Sequence, residues 1–470
     1  MYHLQTRWKL EDGGLYYYGL RNKDRLFKNL VKITREQRGI IQRLPCDLTA
    51  PQKAALGPLL GVQVVTEEDL RPLPTSLREA RFCTSCCAND FILPGLEFDE
   101  AGRCPLCQTA EDTRDLVSIL PVVEDIPPSR SGRFDCALFY TGGKDSTYLL
   151  YYLSKVKGLR VLALTWEIPF LSDSARQSME NARKAFDRVE FVSHRVNEAH
   201  LRRFYTRLYA LSENTCACPS LAYLLFYPTL VEQRVPYFLA GNEPVQMLGL
   251  YYNHMAPRLA YTFWQSRGLT ALFNLGRVLT LRPLLKQGQF QTLMTMKQLA
   301  YGDNWVKRRS GYDSELVSNI VEAIRAVPEF LPPLKRAIRR SDRCGQVPAF
   351  VHLDLDRIAG GTYDWNKVKD ILVAECGWTP PRDDKKALHT SCAIERCKDH
   401  TQFIRFYQCR SKMLPFSALE MALASGRTGR TREEMLYEME HLLGLSLAPP
   451  SECAVMRAYA GPREIEPSAQ

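Results

Sequence analysis

The sequence predicts an α/β protein built on a doubly wound parallel sheet, with a zinc knuckle before the sheet and a mainly helical region after it. Three observations support this prediction. From about residue 134, short apolar runs alternate with helix-like segments, as βαβ units do. A turn with two glycines follows the first apolar run, and two Cys-x2-Cys pairs precede it.

Residues 1–80 are interpreted as an accessory or recognition element. Thr34 and Gln37 have the spacing of a capping box, ahead of apolar residues at helical spacing. Thr49 can cap a second short helix that ends at Gly61, and the run after Gly61 is typical of a strand. Two short helices and a strand indicate a small winged-helix-like or adaptor element.

Residues 81–110 contain two turn-like cysteine pairs separated by seventeen residues. The pairs are Cys83 with Cys86, and Cys104 with Cys107. Two such pairs can each clamp one edge of a tetrahedral ion, so this spacing predicts a structural Zn²⁺ site. Cys87 lies next to Cys86 and is an alternative ligand at this point.

Residues 111–132 are predicted to be a linker because they contain Pro-Pro and Ser-Gly pairs. An α/β domain is predicted over residues 133–260, and a helical substrate domain over residues 261–470. The predicted elements are strands 135–141, 160–165, 190–192 and 237–240, with helices 147–157, 175–186 and 220–233. Ligands of such sheets bind at the carboxyl ends of the strands.

The turn after the first strand is the run Thr141-Gly142-Gly143-Lys144-Asp145-Ser146-Thr147. A strand, a glycine turn and a helix start together form an anion site, because unpaired N–H groups and the helix dipole both favour phosphate. Lys144 can add a point charge, and the hydroxyls of Thr141, Ser146 and Thr147 can add donors. The spacing differs from that of the Walker loop.

This run resembles the pyrophosphate loop (PP-loop) of the ATP pyrophosphatases, a superfamily with an HUP-like, Rossmann-type fold, similar to the adenine nucleotide alpha hydrolases. The resemblance implies binding of ATP with Mg²⁺, transfer of AMP to a carbonyl-type oxygen, and release of pyrophosphate. It also implies that Thr165, at the end of the second strand, contacts the adenine. Lys144, Asp145 and Ser146 are the loop residues expected to take part in catalysis.

Gly241, Asn242 and Glu243 follow the strand 237–240, at the carboxyl edge of the predicted sheet. Gly241 and Asn242 are predicted to contact the nucleotide. Glu243 can hold Mg²⁺ on pyrophosphate or orient a nucleophile, and is therefore a fourth candidate catalytic residue. A plain turn and helix cap is the alternative interpretation of these three residues.

The knuckle followed by YTGGKDSTYLLYYL resembles the N-acetyl sugar amidotransferases of surface-polysaccharide biosynthesis. The resemblance covers roughly residues 81 to 445 and leaves the first 80 residues outside. Its later motifs are Tyr363-Asp364-Trp365, Gly377-Trp378-Thr379-Pro380, His389-Thr390-Ser391-Cys392 and the run from Gly426 to Glu434. It implies that an acetamido group on a nucleotide-linked sugar becomes an acetamidino group, with ammonia from a separate glutaminase subunit.

Cys216 and Cys218 leave other functions open. Sulfur-inserting relatives of the PP-loop class place reactive or cluster-binding cysteines in this region, so a sulfurtransferase fed by a sulfur carrier is the alternative. A site for a metal or a cluster, and ordinary packing thiols, are the other two interpretations of this pair. A different class altogether is a non-catalytic protein that recruits a substrate.

The C-terminal half contains the residue types of a second metal site. Its candidate ligands would be Cys376, Cys392, Cys397, Cys409, His389 and His400. Their spacings match no standard pattern, so packing thiols are favoured.

The distribution of charge and apolar residues limits the kinds of partner that this chain is expected to bind. The net charge of +10 is concentrated between Arg258 and Arg343, which hold 15 lysines and arginines against 6 acidic residues. This segment predicts either a solvated face or a site for an anionic small-molecule or nucleotide-sugar acceptor. No nucleic-acid-binding signature accompanies it. With no apolar run that could span a bilayer and no signal-peptide core, we expect a cytoplasmic protein without a membrane partner.

Overall fold

A computed structural model describes residues 1–61, 64–67, 72–110, 120–130, 132–213, 217–253, 255, 267–286, 288–302 and 314–461. The chain divides into two compact units. The first, called the knuckle unit, comprises Met1–Asp115, Gln402–Leu423 and Leu445–Leu447. The second, called the loop unit, comprises Leu116–Thr401, Ala424–Gly444 and Ala448–Gln470.

Twelve strands occur in the described residues. They are β1 (His3–Leu4), β2 (Trp8–Glu11), β3 (Gly14–Tyr17), β4 (Leu30–Val31), β5 (Val65–Thr66), β6 (Val122–Val123), β7 (Cys136–Phe139), β8 (Val161–Trp166), β9 (Val189–His194), β10 (Tyr237–Ala240), β11 (Ala349–Phe350) and β12 (His352–Leu353).

The described residues also form nineteen α-helices. They are α1 (Arg35–Ile41), α2 (Ala50–Leu56), α3 (Pro58–Gly61), α4 (Pro105–Gln108), α5 (Lys144–Tyr151), α6 (Asp173–Ala185), α7 (Glu198–Ser212), α8 (Cys218–Glu232), α9 (Pro244–Tyr252), α10 (Arg267–Leu279), α11 (Gln289–Tyr301), α12 (Glu315–Arg325), α13 (Leu331–Cys344), α14 (Leu355–Ile358), α15 (Trp365–Cys376), α16 (Glu395–Tyr407), α17 (Phe416–Ala424), α18 (Arg432–Tyr437) and α19 (Glu452–Ala460).

The loop unit is organised around a five-stranded parallel sheet with the order β11-β10-β7-β8-β9. The chain moves outward from β7 to β8 and β9, and then returns to place β10 on the other side of β7. Because right-handed crossovers in opposite directions put helices on opposite faces, this order is that of a doubly wound sheet. The predicted α/β fold is confirmed.

The central strands β7 and β8 are buried at every position, which explains their continuous apolar sequence. The helix after β7 begins at Lys144, three residues before the predicted start, so Lys144, Asp145 and Ser146 occupy its first turn. It continues as a π-helical segment, Tyr152–Val156, up to Gly158. Helix α7 was not predicted, although Asn197 caps it by accepting from Ala199 N and His200 N.

Two parts of the loop unit differ from the predicted organisation. The fifth strand of the sheet, β11, comes from within the segment predicted to be mainly helical. The segment predicted as a linker contains β6, which pairs in parallel with β12. Residues 111–119 and 131 of that segment lie outside the described residues. The predicted division into five domains is not tested by these observations and stays a prediction.

The knuckle unit begins with the antiparallel sheet β2-β3-β4 and the pair β1-β5. Both predicted helices are present, and capping boxes at Thr34 and Thr49 begin them. Sequence analysis missed the hairpin of β2 and β3, whose two-residue turn is Asp12-Gly13. Asp-Gly between apolar runs is a strong hairpin signal that was available.

Candidate functional site

The TGGKDST loop lies where the strand order of the sheet reverses. It connects β7, the central strand, to α5. Gly143 is the N-cap of α5, so the first-turn N–H groups of the helix have no acceptor inside the helix. Open α/β sheets bind ligands at this position, and a helix N-terminus favours an anion there. The predicted anion-binding geometry is therefore present.

Two glycines allow the backbone to pack closely around the loop. Gly142 has φ +70°, and a Cβ atom there would lie 2.4 Å from the Ala175 carbonyl oxygen. A Cβ atom on Gly241, just after β10, would lie 2.4 Å from Ser146 N. Any side chain at either position would therefore displace the loop or the element against it.

The hydroxyl groups of the loop are already organised by the protein. Ser146 Oγ donates to Gly143 O at 3.2 Å and lies 3.1 Å from Thr141 Oγ1. Thr147 Oγ1 donates to Gly143 O at 2.8 Å. Ser146 and Thr147 are buried, and Thr141 is half-buried, nearest to solvent. These bonds fix the turn that presents the helix start.

The Lys144 side chain is fully buried and forms a cluster with two carboxylates. Its Nζ atom donates to Asp145 Oδ1 and lies 3.7 Å from Glu243 Oε2. It also lies 4.6 Å from the ring centre of Tyr363 and 5.1 Å from that of Trp365. A buried ammonium needs such compensation. Lys144 thus organises carboxylates here, and its role as a direct phosphate ligand stays a prediction.

Two aromatic residues complete this cluster. Tyr363 Oη donates to Asp145 Oδ1 at 2.9 Å, and Trp365 Nε1 donates to Glu243 Oε2. Burial, together with the nearby charges of Asp145 and Glu243, raises the pKa of Tyr363 well above its usual value. Tyr363 therefore stays a hydrogen-bond donor throughout the physiological pH range.

Two further segments from the C-terminal half contact the loop. Trp378 Nε1 donates to Gly142 O at 3.0 Å, and Thr390 Oγ1 accepts from Lys144 N at 2.9 Å. Ser391 O accepts from Ser172 N at 2.9 Å, just before α6. Three of the four motifs noted in the C-terminal half therefore contact the loop directly. Tyr363, Trp365, Trp378 and Thr390 had not been predicted as site residues, although the motifs containing them were the available signal.

The remaining predicted site residues lie close to the loop. Glu243 is the N-cap of α9, so the cap interpretation holds, and it also belongs to the Lys144 cluster. Asn242 is half-buried and donates from its backbone to Ala240 O at 2.8 Å. Neither observation tests the predicted contacts of Gly241 and Asn242 with a nucleotide.

A cleft of about 540 Å³ opens beside the loop. Its lining residues include Thr165 and Trp166 at the end of β8, Ser193 on β9, and Met179 on α6. Met179 would also be 2.9 Å from a Cβ atom on Gly142, so the cleft and the loop adjoin. The volume is in the range of small-molecule sites. Thr165 lines this cleft, and its contact with the adenine stays a prediction.

The predicted thiol site is only partly described. Cys216 lies outside the described residues. Cys218 is the first residue of α8, and its Sγ atom lies 3.9 Å from Tyr205 Oη. Burial raises the pKa of Cys392 well above its usual value, with Glu395 and Cys218 contributing in the same direction. Cys218 and Cys392 are thus electrostatic neighbours, and Cys392 is protonated at neutral pH.

The knuckle brings its four predicted ligands together. Their sulfur atoms all lie within 4.8 Å of one another, with Cys83 to Cys107 at 3.8 Å and Cys86 to Cys104 at 3.6 Å. Four thiolates around a tetrahedral ion at about 2.3 Å would be about 3.8 Å apart. Backbone N–H groups of Ser85, Ala88 and Cys104 point at these sulfurs, at 3.3–3.4 Å.

Cys87 is not part of this group of ligands. In the part of the chain that the structure describes, no other set of three or more metal-ligating side chains comes together. The six candidate ligands of a second metal site therefore do not come together as a group.

The basic segment is partly used for internal ion pairs. Arg277, Arg282 and Lys297 converge on Asp342, the last two at 2.7 and 3.6 Å. Although burial opposes it, these cations hold the pKa of Asp342 below its usual value. Arg336, Arg339 and Arg340 of α13 are exposed, while residues 303–313, with Arg308 and Arg309, lie outside the described residues. The predicted acceptor site in this segment stays a prediction.

Comparisons with known proteins add little to this geometry. Neither profiles of known protein families nor curated proteins give a match. Among solved structures, the chain is similar to the U34-tRNA thiolase NcsA from Methanococcus maripaludis with its [4Fe-4S] cluster. The identity is 14%, the TM-score is 0.22, and the match covers 56% of this chain and 86% of that one. A likeness at this level supports neither a function nor a cofactor here.

Across the described residues, no helix is both long enough and apolar enough to cross a membrane.

Proposed function

We propose that this chain is an ATP-dependent enzyme that transfers AMP to a carbonyl-type oxygen of an acceptor and releases pyrophosphate. A nitrogen nucleophile then displaces the AMP, so that nitrogen replaces the oxygen. One observation carries the first step: a glycine-rich helix start at the strand-order reversal, adjoining a cleft of about 540 Å³ at Thr165. The phosphates of ATP would lie on the helix start, with the adenosine in the cleft.

The loop residues have distinct roles in this proposal. When the bond between the α- and β-phosphates breaks, negative charge grows on the departing pyrophosphate. In the first turn of α5, Lys144 N already donates to Thr390 Oγ1, so the N–H groups of Asp145 and Ser146 are the donors fixed in advance. The hydroxyls of Thr141 and Ser146 would turn from their bonds within the loop to the phosphate, and such donors stabilise charge as it develops. Asp145 and Glu243 offer the carboxylate oxygens that Mg²⁺ prefers, with Lys144 holding them together. Bound Mg²⁺ would neutralise phosphate charge.

The acceptor in this proposal is an anionic molecule, such as an N-acetyl nucleotide sugar, with its charge held by exposed arginines of the basic segment. Arg336 and Arg340 are the described residues to test. Their replacement by alanine should raise KM for the acceptor without changing ATP binding, as expected for lost binding of a remote charged group. Ammonia from a separate glutaminase would supply the nitrogen. A cytoplasmic location and the absence of a nucleic-acid partner belong to the same proposal.

A sulfurtransferase is the second candidate, and one observation favours it. Cys218 is the first residue of α8, and it is a neighbour of Cys392, two residues after the loop-contacting Thr390. The protonated state of Cys392 opposes it, since sulfur transfer needs a thiolate. Replacing Cys216 and Cys218 by serine separates the two: ammonia chemistry should persist, whereas sulfur transfer from a carrier should stop.

The products from labelled ATP test the central proposal. With an N-acetyl nucleotide sugar and ammonia, we expect AMP and pyrophosphate; ADP and phosphate would contradict the assignment. Ser146→Ala should slow AMP formation, while Ser341→Ala, a buried serine bonded to Tyr227, should not. If the chain binds ATP tightly but forms no AMP with any amide, sugar or sulfur-accepting substrate, the remaining candidate is a non-catalytic protein that recruits a substrate.

The knuckle is proposed to hold one structural Zn²⁺. The donor set fits, because four thiolates at tetrahedral spacing leave no open coordination position for chemistry. Metal analysis of freshly purified protein should give about one zinc per chain. Iron instead of zinc would contradict this assignment and indicate an iron site.

A further inference from the structure

A second cleft lies entirely within the knuckle unit and is lined by residues that precede the TGGKDST loop in the sequence. Its volume is about 380 Å³. The start of β2, the loop after β3 and the knuckle supply its walls, together with Pro72, Leu73 and Pro74. We call it the arginine cleft, because Arg7, Arg21, Arg25 and Arg81 line it against two acidic residues, Asp90 and Glu97.

Arg7 has a structural role in this cleft. Its guanidinium group donates to three backbone carbonyls: those of Tyr18, Phe406 and Tyr407, the last two at 2.8 and 2.7 Å. These bonds use its donors within the protein. The charge available to a ligand therefore comes from the other arginines.

Arg21 is held in a different way. Its side chain is only 5% exposed, and it lies over the rings of Trp8 and Tyr17 at 5.1 and 5.7 Å. One terminal nitrogen donates to Lys28 O at 2.8 Å. Its Nε atom has no hydrogen-bond partner among the described residues, since Glu97 Oε1 is 3.7 Å away. A buried guanidinium with an unused donor is costly unless an anion compensates it.

Glu97 is shared among several donors. It lies 3.7 Å from Arg21 and 3.3 Å from Arg25, and it also accepts from Asn22 N at 2.9 Å. One carboxylate thus faces two guanidinium groups. A second oxyanion would complete the pairing, and planar guanidinium groups match carboxylates and phosphates in particular.

We propose that the arginine cleft binds an anionic small molecule through a carboxylate or phosphate group held jointly by Arg21 and Arg25. The partly buried ring of Phe98, which lies 4.6 Å from the Arg81 guanidinium, provides an apolar edge for the body of the ligand. The residues of this site belong to the knuckle unit alone, and the proposal does not rest on the proposed ATP chemistry.

Ligand-observed NMR on the full chain tests the proposal, with phenylacetate and phenyl phosphate as probes of the two anion types. At least one probe should receive saturation from the protein. Arg21→Met keeps the apolar stem but removes the donors, and should weaken binding at least about tenfold. Arg35→Met, on the exposed first turn of α1, is the matched control and should change nothing.

Glu97→Gln should change the affinity for the probe in the opposite direction. Removing the competing carboxylate should strengthen binding of the same probe, an outcome that a merely structural role of Arg21 and Glu97 would not produce. This variant also serves if Arg21→Met fails to fold, as judged by circular dichroism and metal content. Binding that Glu97→Gln leaves unchanged or weakens overturns the proposal, as does the absence of binding by both probes.

Ser146→Ala separates this site from the loop. Probe binding in the arginine cleft should be unaffected by Ser146→Ala. If Ser146→Ala abolishes the signal and Arg21→Met leaves it intact, the probe occupies the pyrophosphate loop and the arginine cleft is not an anion site.

Discussion

Replacing Tyr363 by phenylalanine removes one hydroxyl group from the cluster that supports the loop. That hydroxyl donates to Asp145 Oδ1 at 2.9 Å, and the tyrosine is only 1% exposed. A hydrogen bond to a charged group contributes about 1.5–3 kcal/mol. No water reaches this position easily, so we expect the free energy of unfolding to fall by about 2 kcal/mol.

The same change should weaken ATP binding, because Asp145 is the second residue of α5 and loses a partner that fixes its rotamer. A loss of about 1.4 kcal/mol in the binding free energy corresponds to a tenfold higher Kd. Urea unfolding measures the first effect, and titration calorimetry with Mg²⁺ and a non-hydrolysable ATP analogue measures the second.

Tyr227→Phe is the matched control. Tyr227 is fully buried in the same unit, and its hydroxyl lies 2.8 Å from Ser341 Oγ, away from the loop. This control should lower stability by about 1 kcal/mol and leave the Kd for the analogue unchanged. Equal nucleotide affinity in Tyr363→Phe and the wild type would refute the view that Tyr363 positions the loop.

Three further changes have defined outcomes. Gly142→Ala should cost more than the about 1–2 kcal/mol of a left-handed φ alone, and should abolish ATP binding, whereas Gly158→Ala, with φ +66° and its nearest atom 3.5 Å away, should cost only the φ term. Cys83→Ser should lose the bound metal and Cys87→Ser should retain it, as metal analysis can show. Burial lowers the pKa of His352 to about 3, below its usual 6.5, so unfolding releases a group that takes up a proton. The contribution of His352 to the free energy of unfolding should therefore be fully present above pH 6.5 and should fall towards pH 3 by up to about 1.4 kcal/mol per pH unit. Urea titrations at several pH values should show a smaller slope in His352→Leu.

The sheet and the loop could be predicted from sequence because both are local features. The two central strands, β7 and β8, are buried at every position and each forms a short, mostly apolar run, and the glycine pair in front of Lys144 marks a turn into a helix. The knuckle is equally local, since its spacing specifies the ligands. In these cases, neighbouring residues contain all the information that determines the structure.

The cluster around Lys144 could not be derived in this way. Tyr363 and Trp365 are more than two hundred residues from the loop in sequence. Tyr363 nevertheless donates to Asp145, and Trp378 donates to Gly142. Only the fold brings them together, so periodicity and propensity carry no information about these contacts. The strand β11 was missed for a related reason: two residues give no period, and pairing with β10 determines their conformation.

The burial of Lys144 changes what its replacement would mean. A lysine that contacted phosphate from an exposed position could be removed at little cost to the fold. This ammonium is fully buried between Asp145 and Glu243, so removing it leaves two carboxylates close together without a compensating charge. A loss of AMP transfer in Lys144→Ala would therefore reflect displaced carboxylates as much as a lost phosphate contact. Because Tyr363 and Trp365 donate hydrogen bonds to those same carboxylates, the loop also depends on residues from the C-terminal half of the chain.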